Sequence, residues 1–154
     1  MIKVTISRTI PFPIDEVYSA IDHINKLARL KPAFRNYRIA RDEEGLQLID
    51  VDIRFIVKKF PMRFTYTAIP FKYCELKKLK GAIKEYSYTY TFVKSDNKTD
   101  VTVYCSIVLP LRYFIVQPFL SAIIKHRLTK ELTILETIVK QKFNGYDTAT
   151  YRSE

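Results

Sequence analysis

Two groups of residues in this 154-residue chain have the type and spacing to do chemistry. The first centres on Glu131. It lies in the stretch Arg112–Phe143, where Leu120, Ile124, Leu128, Leu132, Leu135 and Val139 recur at spacings of three and four. Counted at about 100° per residue, Glu131 falls on that apolar stripe, between Leu128 and Leu135. A carboxylate facing an apolar interior is placed for general acid–base work. The alternatives are a salt bridge to an inward Arg or Lys, or a small helix rotation that carries it to the stripe's edge. Gln117, on the same face near the helix start, offers a neutral polar contact. The second group is Tyr86, Tyr88 and Tyr90 with Phe92, alternating with Ser87, Thr89 and Thr91. Alternation puts the aromatics on one face of a strand. On a concave face they form the wall of an apolar pocket, with hydroxyls to orient a ligand, or they pack on the helix. On an outward face they could stack nucleic-acid bases.

Other titratable residues carry weaker signals. His23 follows a helix end and His126 lies on the polar helix face, and neither has a partner at metal-ligand spacing, so no metal site is expected. Cys74 and Cys105 sit inside strand patterns without CxxC spacing, which reads as reduced thiols in a cytoplasmic protein. Asp50 and Asp52 project to one side of a strand and read as a solvent face. No GxSxG, P-loop, HExxH or GxGxxG pattern is present, and no cofactor is implied.

These residues are positioned by a simple order of elements. Ile2–Ile10 alternates as a half-buried strand that Pro11 and Pro13 stop. Residues 14–21 and 24–30 read as short helices, the second ended by Pro32. Six strands in hairpin succession follow: 36–41, a turn at Asp42–Gly45, 46–59 with Ile49, Val51, Ile53, Phe55 and Val57 on one face, and a turn at Phe60-Pro61. The strand at 63–69 has Phe64, Tyr66 and Ala68 on one side. Then come 72–79, 82–93, a loop at Ser95–Lys98, and 101–109. Pro110 hands over to the long helix, expected from Arg112 to Phe143 with Asn144-Gly145 as its cap, about 45 Å at ~1.5 Å per residue. Residues 1–145 are expected to form a single domain and 146–154 a polar, frayed tail. Consecutive hairpins predict an antiparallel sheet curving around the helix. The closure leaves a pocket unless Phe64, Tyr66 and Phe119 fill it.

The net charge of +10 is scattered, with its nearest clusters at Lys26, Arg29, Lys31, Arg35, Arg38, Arg41 and at Lys72, Lys77, Lys78, Lys80, Lys84. It reads as a basic surface, or as an attraction to nucleic acid or an anionic membrane. The apolar stretch Ile107–Ile124 is interrupted by Pro110, Arg112, Gln117 and Pro118, and no membrane span is expected.

The element order, the opening Ile-Pro-Phe-Pro-Ile-Asp-Glu-Val-Tyr-Ser-Ala-Ile-Asp at 10–22 and the terminal helix resemble the helix-grip fold of the START and Bet v 1-like superfamily (SRPBCC). Gly81–Tyr86, with the aromatic strand after it, is similar to the polyketide cyclase and coenzyme-Q-binding branch. The resemblance spans about residues 2–143 and implies an α+β fold: a curved, seven-stranded antiparallel sheet around a C-terminal helix, two short helices between the first two strands. It also implies a cavity for a hydrophobic small molecule such as a lipid, quinone or polyketide. Ligand contacts are expected from Phe64, Tyr66, Tyr86, Tyr88, Tyr90, Gln117, Leu120, Ile124, Leu128, Glu131 and Leu135. The CxH…CxxH pattern of the iron-binding branch is missing. Non-catalytic binding or transport, as monomer or homodimer, is the leading expectation; a cyclase or dehydratase with Glu131 as acid/base is the alternative.

Overall fold

The computed structural model describes residues 1–55 and 58–152, with side chains for all of these except 55 and 145–152. Strand β1 (Ile2–Ile10) leads into α1 (Ile14–Ser19) and α2 (Ile24–Arg29). Then come β2 (Phe34–Arg41), β3 (Gln47–Phe55), β4 (Lys58–Ile69), β5 (Tyr73–Gly81), β6 (Glu85–Ser95) and β7 (Lys98–Val108). A 3-10 helix, Leu111–Val116, precedes α3 (Gln117–Arg152). The strands form one antiparallel sheet in the order β1-β7-β6-β5-β4-β3-β2. This is the helix-grip fold the element order predicts. Because β1 pairs with β7 and β2 forms the opposite edge, α1 and α2 cross from one edge of the sheet to the other.

Alternation decides which side of each strand is wet. Ile2, Val4 and Ile10 of β1, Phe60, Met62, Phe64 and Tyr66 of β4, Cys74 and Leu76 of β5, and Val101, Val103, Cys105 and Ile107 of β7 are all buried on the concave side. The stripe of α3, from Leu120 to Val139, is buried opposite them. Each large aliphatic side chain so covered contributes about 1.5–3 kcal/mol before ordering costs. Polar contacts set the helix's register: Arg8 on β1 donates to Thr133 Oγ1 (2.6 Å) and pairs with Glu136 (2.6 Å) on α3.

Two bulges help the sheet curve. One extra residue of β2, between Arg35 and Arg38, faces β3, and Asn36 there takes a left-handed φ of 52°. On β5, Leu79 is the unpaired extra residue between the Phe64–Lys78 and Arg63–Lys80 pairs, and it points to solvent.

Several sequence expectations shift. The turn placed at Phe60-Pro61 is strand: β3 and β4 pair Phe55 with Lys58, so the chain has reversed before Phe60. Pro61 is tolerated because it lies beyond the last β4–β5 pair, Met62 with Gly81, where its missing N–H breaks no ladder on that side. Val57, expected on the inward face of β3, lies outside the described residues. The long helix starts at Gln117 and not Arg112, since Pro118 suits a first turn whereas its ring would break an interior one. It also runs past Asn144-Gly145 to Arg152: glycine inside a helix costs only about 1 kcal/mol and no proline follows to stop it. Residues 146–152 are therefore helical, and 153–154 lie outside the described residues.

Glycine is required where the turn into β6 leaves β5. Gly81 has φ of 145°, and a Cβ there would run into Met62 Sδ and the Pro61 carbonyl oxygen (2.9 Å). Gly45, at φ of 85° in the β2–β3 turn, has open space around it. In urea melts Gly45→Ala is expected to cost about 1 kcal/mol from the backbone alone, and Gly81→Ala roughly 2–4 kcal/mol. Equal losses would refute the close approach at Gly81.

Candidate functional site

The positions that bring charge into the core are read from the helical period. On α2 and its C-terminal extension, Ile24, Leu27 and Ala28 are buried, and position 31 continues that i, i+3, i+4, i+7 stripe. Position 31 is a lysine. Lys31, expected among the surface cations, is instead buried at 3% exposure. On α3 the same logic places Glu131 between Leu128 and Leu135, also at 3% exposure. The signal for Lys31 was the stripe; its charge and the following Pro32 concealed it.

The two charges meet over the tyrosine strand. Lys31 Nζ lies 3.2 Å from Glu131 Oε2 and donates to Tyr90 Oη at 2.7 Å. Tyr90 in turn donates to Glu131 Oε2 at 2.6 Å. The ammonium also stands 3.3 Å from the centroid of the Tyr88 ring, a cation–π contact on its remaining side. Tyr88 and Tyr86 hydrogen-bond through their hydroxyls. Phe64 stacks on Phe34 at 5.8 Å and meets Tyr86 edge-on at 5.5 Å. The inward orientation of Tyr86, Tyr88, Tyr90 and Phe92 overturns the outward, base-stacking alternative.

Of the residues expected to contact a ligand, Tyr88, Tyr90 and Glu131 converge on one cluster, with Tyr86 and Phe64 packed behind Tyr88. Leu120, Ile124, Leu128 and Leu135 are buried along the α3 stripe. Tyr66 is buried, and its hydroxyl has no hydrogen-bond partner among the described residues. Gln117 is elsewhere. It lines a cleft of about 460 Å³ with Met1, Lys3, Phe114 and Pro118, roughly 20 Å along the helix from Glu131 at ~1.5 Å per residue. Phe119, considered as a filler of the interior, is 71% exposed, since it lies one position off the buried stripe that begins at Leu120. The interior around the cluster is packed instead by Phe34, Phe64 and the tyrosines.

Electrostatics follow from this burial. Desolvation pushes the Lys31 amine below its ordinary value, against the pull of the Glu131 carboxylate. Burial holds the Tyr86, Tyr88 and Tyr90 phenols well above 10.0, with the Glu131 charge adding to it. The Cys74 and Cys105 thiols are pushed up to about 12 by burial and are inert as nucleophiles. His23 and His126 are exposed. Among the described residues no group of His, Cys, Asp or Glu could hold a metal ion. Asp50 is on the outer face, where Arg63 binds it in two-point fashion (2.6 and 2.9 Å) and holds its carboxyl below the usual range.

The cluster can donate a hydrogen bond, accept one and pass a proton among an amine, a phenol and a carboxylate. Removing one charge leaves the other buried alone. Lys31→Met is therefore expected to cost roughly 3–5 kcal/mol, whereas Lys31→Met with Glu131→Leu recovers most of that loss. Denaturant melts that show the double variant no better than the single would contradict the pairing. The raised phenols fix the alkaline behaviour. A group whose folded pKa lies above its unfolded value of 10.0 contributes stability that is intact below pH 10 and lost as pH climbs towards the folded value. Stability is expected to fall above about pH 10, and the phenolate absorbance of these tyrosines to appear together with unfolding. Full phenolate signal from a still-folded protein would refute their burial.

The architecture recurs in solved structures. A protein of Thermus thermophilus superposes with TM-score 0.77 at 16% identity, covering 91% of this chain and 98% of its own. The Zhui aromatase/cyclase of Streptomyces sp. R1128 gives 0.77 at 12% identity over 92% and 94%. A START superfamily protein of Mycobacterium smegmatis gives 0.73 at 13% identity over 92% and 99%. At such identities the likeness is one of fold. No curated protein is significantly similar in sequence. The family profile described as "Polyketide cyclase / dehydrase and lipid transport" matches residues 1–140, which span the whole sheet and α3 as far as Lys140. The chain belongs to the polyketide cyclase/dehydrase and lipid transport family.

Proposed function

We propose that the protein binds one hydrophobic small molecule between the concave sheet and α3, and that Lys31, Tyr88, Tyr90 and Glu131 recognise an oxygen function on it. The observation that carries this reading is the hydrogen-bonded Lys31–Tyr90–Glu131 cluster inside an otherwise apolar grip. Well-packed hydrophobic residues would serve stability as well as a buried ion pair does, so the pair is better accounted for by use than by stability. A carbonyl, enol or phenol oxygen entering the cluster would find a donor in Lys31 or Tyr90 and an acceptor in Glu131. A lipid, quinone or polyketide carries such an oxygen on an apolar body, and the family description names polyketide and lipid chemistry. Aromatic side chains pack around the cluster, so a ligand would reach it when α1 and α2, with Lys31, lift from the sheet.

The same groups favour a second reading, cyclisation or dehydration. Glu131 would take a proton from the carbon next to a carbonyl, while Lys31 or Tyr90 hydrogen-bonds the developing enolate oxygen. In a dehydration a proton then passes to the departing hydroxyl, which leaves as water.

Native mass spectrometry of protein purified from its own cells, followed by solvent extraction, separates these readings. A stoichiometric lipid, quinone or polyketide is expected, and its retention should fall at least about tenfold in the Lys31→Met, Glu131→Leu double variant. Retention unchanged in that variant would remove the cluster from recognition. With the extracted compound as substrate, Glu131→Gln that binds without converting it would establish the enzyme; unaltered conversion would exclude Glu131 as its acid or base.

A further inference from the structure

The surface holds an apolar projection unrelated to the buried cluster. In the 3-10 helix and the first turn of α3, Leu111 is 90% exposed, Ile115 83%, and Phe114 and Phe119 71% each. A 3-10 helix repeats every three residues, so Leu111 and Phe114 stand on the same side, with Ile115 next to them. Tyr113 faces the other way, its ring edge-on to Phe60 at 5.9 Å. That contact anchors the segment to β4 and turns the apolar side chains to solvent.

The projection has a basic rim. Lys58 Nζ donates to Tyr113 Oη at 2.9 Å, the Arg112 guanidinium lies 5.1 Å from the Tyr113 ring, and Lys3 lines the cleft beside Phe114. The hydrogen bond from Lys58, joined by the Arg112 charge, holds the Tyr113 phenol below its ordinary value. From Val101 to Lys130 the chain contains no Asp or Glu, whereas Arg112, Lys125, Arg127 and Lys130 fall in that span. Glu85, which pairs with Val108 at the same end of the sheet, shares its cleft with Lys77, Lys78 and Lys84.

We propose that residues 111–119 dock the protein onto an anionic phospholipid bilayer, with Leu111, Phe114, Ile115 and Phe119 entering the headgroup–acyl boundary and Lys3, Lys58 and Arg112 meeting lipid phosphates. Aliphatic and aromatic side chains inside a cationic rim match a surface that is apolar below and negative above. A second copy docking through the same patch would bring the three cations against their own equivalents. A nucleic acid would gain no stacking from Leu111 or Ile115. The proposal does not depend on what the interior binds.

The test is flotation of the full chain with vesicles of phosphatidylglycerol and phosphatidylcholine, beside vesicles of phosphatidylcholine alone. Binding to the anionic vesicles, weakened by salt, is expected. The Leu111→Ser, Ile115→Ser variant should lower it at least about tenfold. Its melting should be unchanged, since both side chains are exposed. Arg112→Gln should weaken binding to the anionic vesicles and leave any residual binding to neutral ones unaffected. Absence of flotation, equal flotation with both vesicle types, or binding indifferent to the serine variant would overturn the proposal. Light scattering that shows a dimer abolished by the serine variant would overturn it in favour of a second copy.

Discussion

The structure depends on the exclusion of water between α3 and the concave face of the sheet. One helix with one apolar stripe cannot remain folded alone, and a curved sheet with one apolar face cannot either. Each supplies the other's cover. The rule that follows, with the Tyr66 hydroxyl as an exception, is that a side chain pointing into that space is apolar or its polar atoms find partners inside. Arg8, Thr133 and Glu136 satisfy the rule at the margin, where β1 and α3 meet near water. Lys31 and Glu131 satisfy it in the middle.

The interior cluster is costly to keep. Both charges are almost wholly desolvated, and their attraction offsets that cost only because Tyr90 bridges them and the Tyr88 ring faces the ammonium. Such a set of groups is pre-oriented. An incoming oxygen would not have to order flexible side chains, only to displace one hydrogen bond with another. Under the proposed reading, the packing of Phe34, Phe64 and Tyr86 around it would couple occupancy to opening. A ligand would replace aromatic contacts as it binds, and α1–α2 is the cover whose movement exposes Lys31.

The outer surface follows a different logic. The 3-10 helix is held by Tyr113 on Phe60 and Lys58, and that attachment leaves its aliphatic side chains facing water. An exposed apolar group of this kind lowers solubility unless something covers it, and its cationic border limits what can.

How much of this was legible in one dimension follows from the range of each interaction. Alternation along Tyr86–Phe92, the apolar recurrence from Leu120 to Val139, and the turn chemistry at Asp42–Gly45 are local, and the sequence by itself determined the strands, the closing helix and the helix-grip order from them. Glu131's place on the stripe was equally readable. Its partner was not, because Lys31 lies 100 residues away and Pro32 and its neighbouring cations gave it the look of a surface residue. Only tertiary structure decided that the α2 stripe and the α3 stripe face one another across Tyr90, since that depends on the crossover between the sheet's two edges. Tertiary structure also decided where α3 begins: helical periodicity runs through 112–116, but packing of Tyr113 and the ring of Pro118 start the α-helix at Gln117.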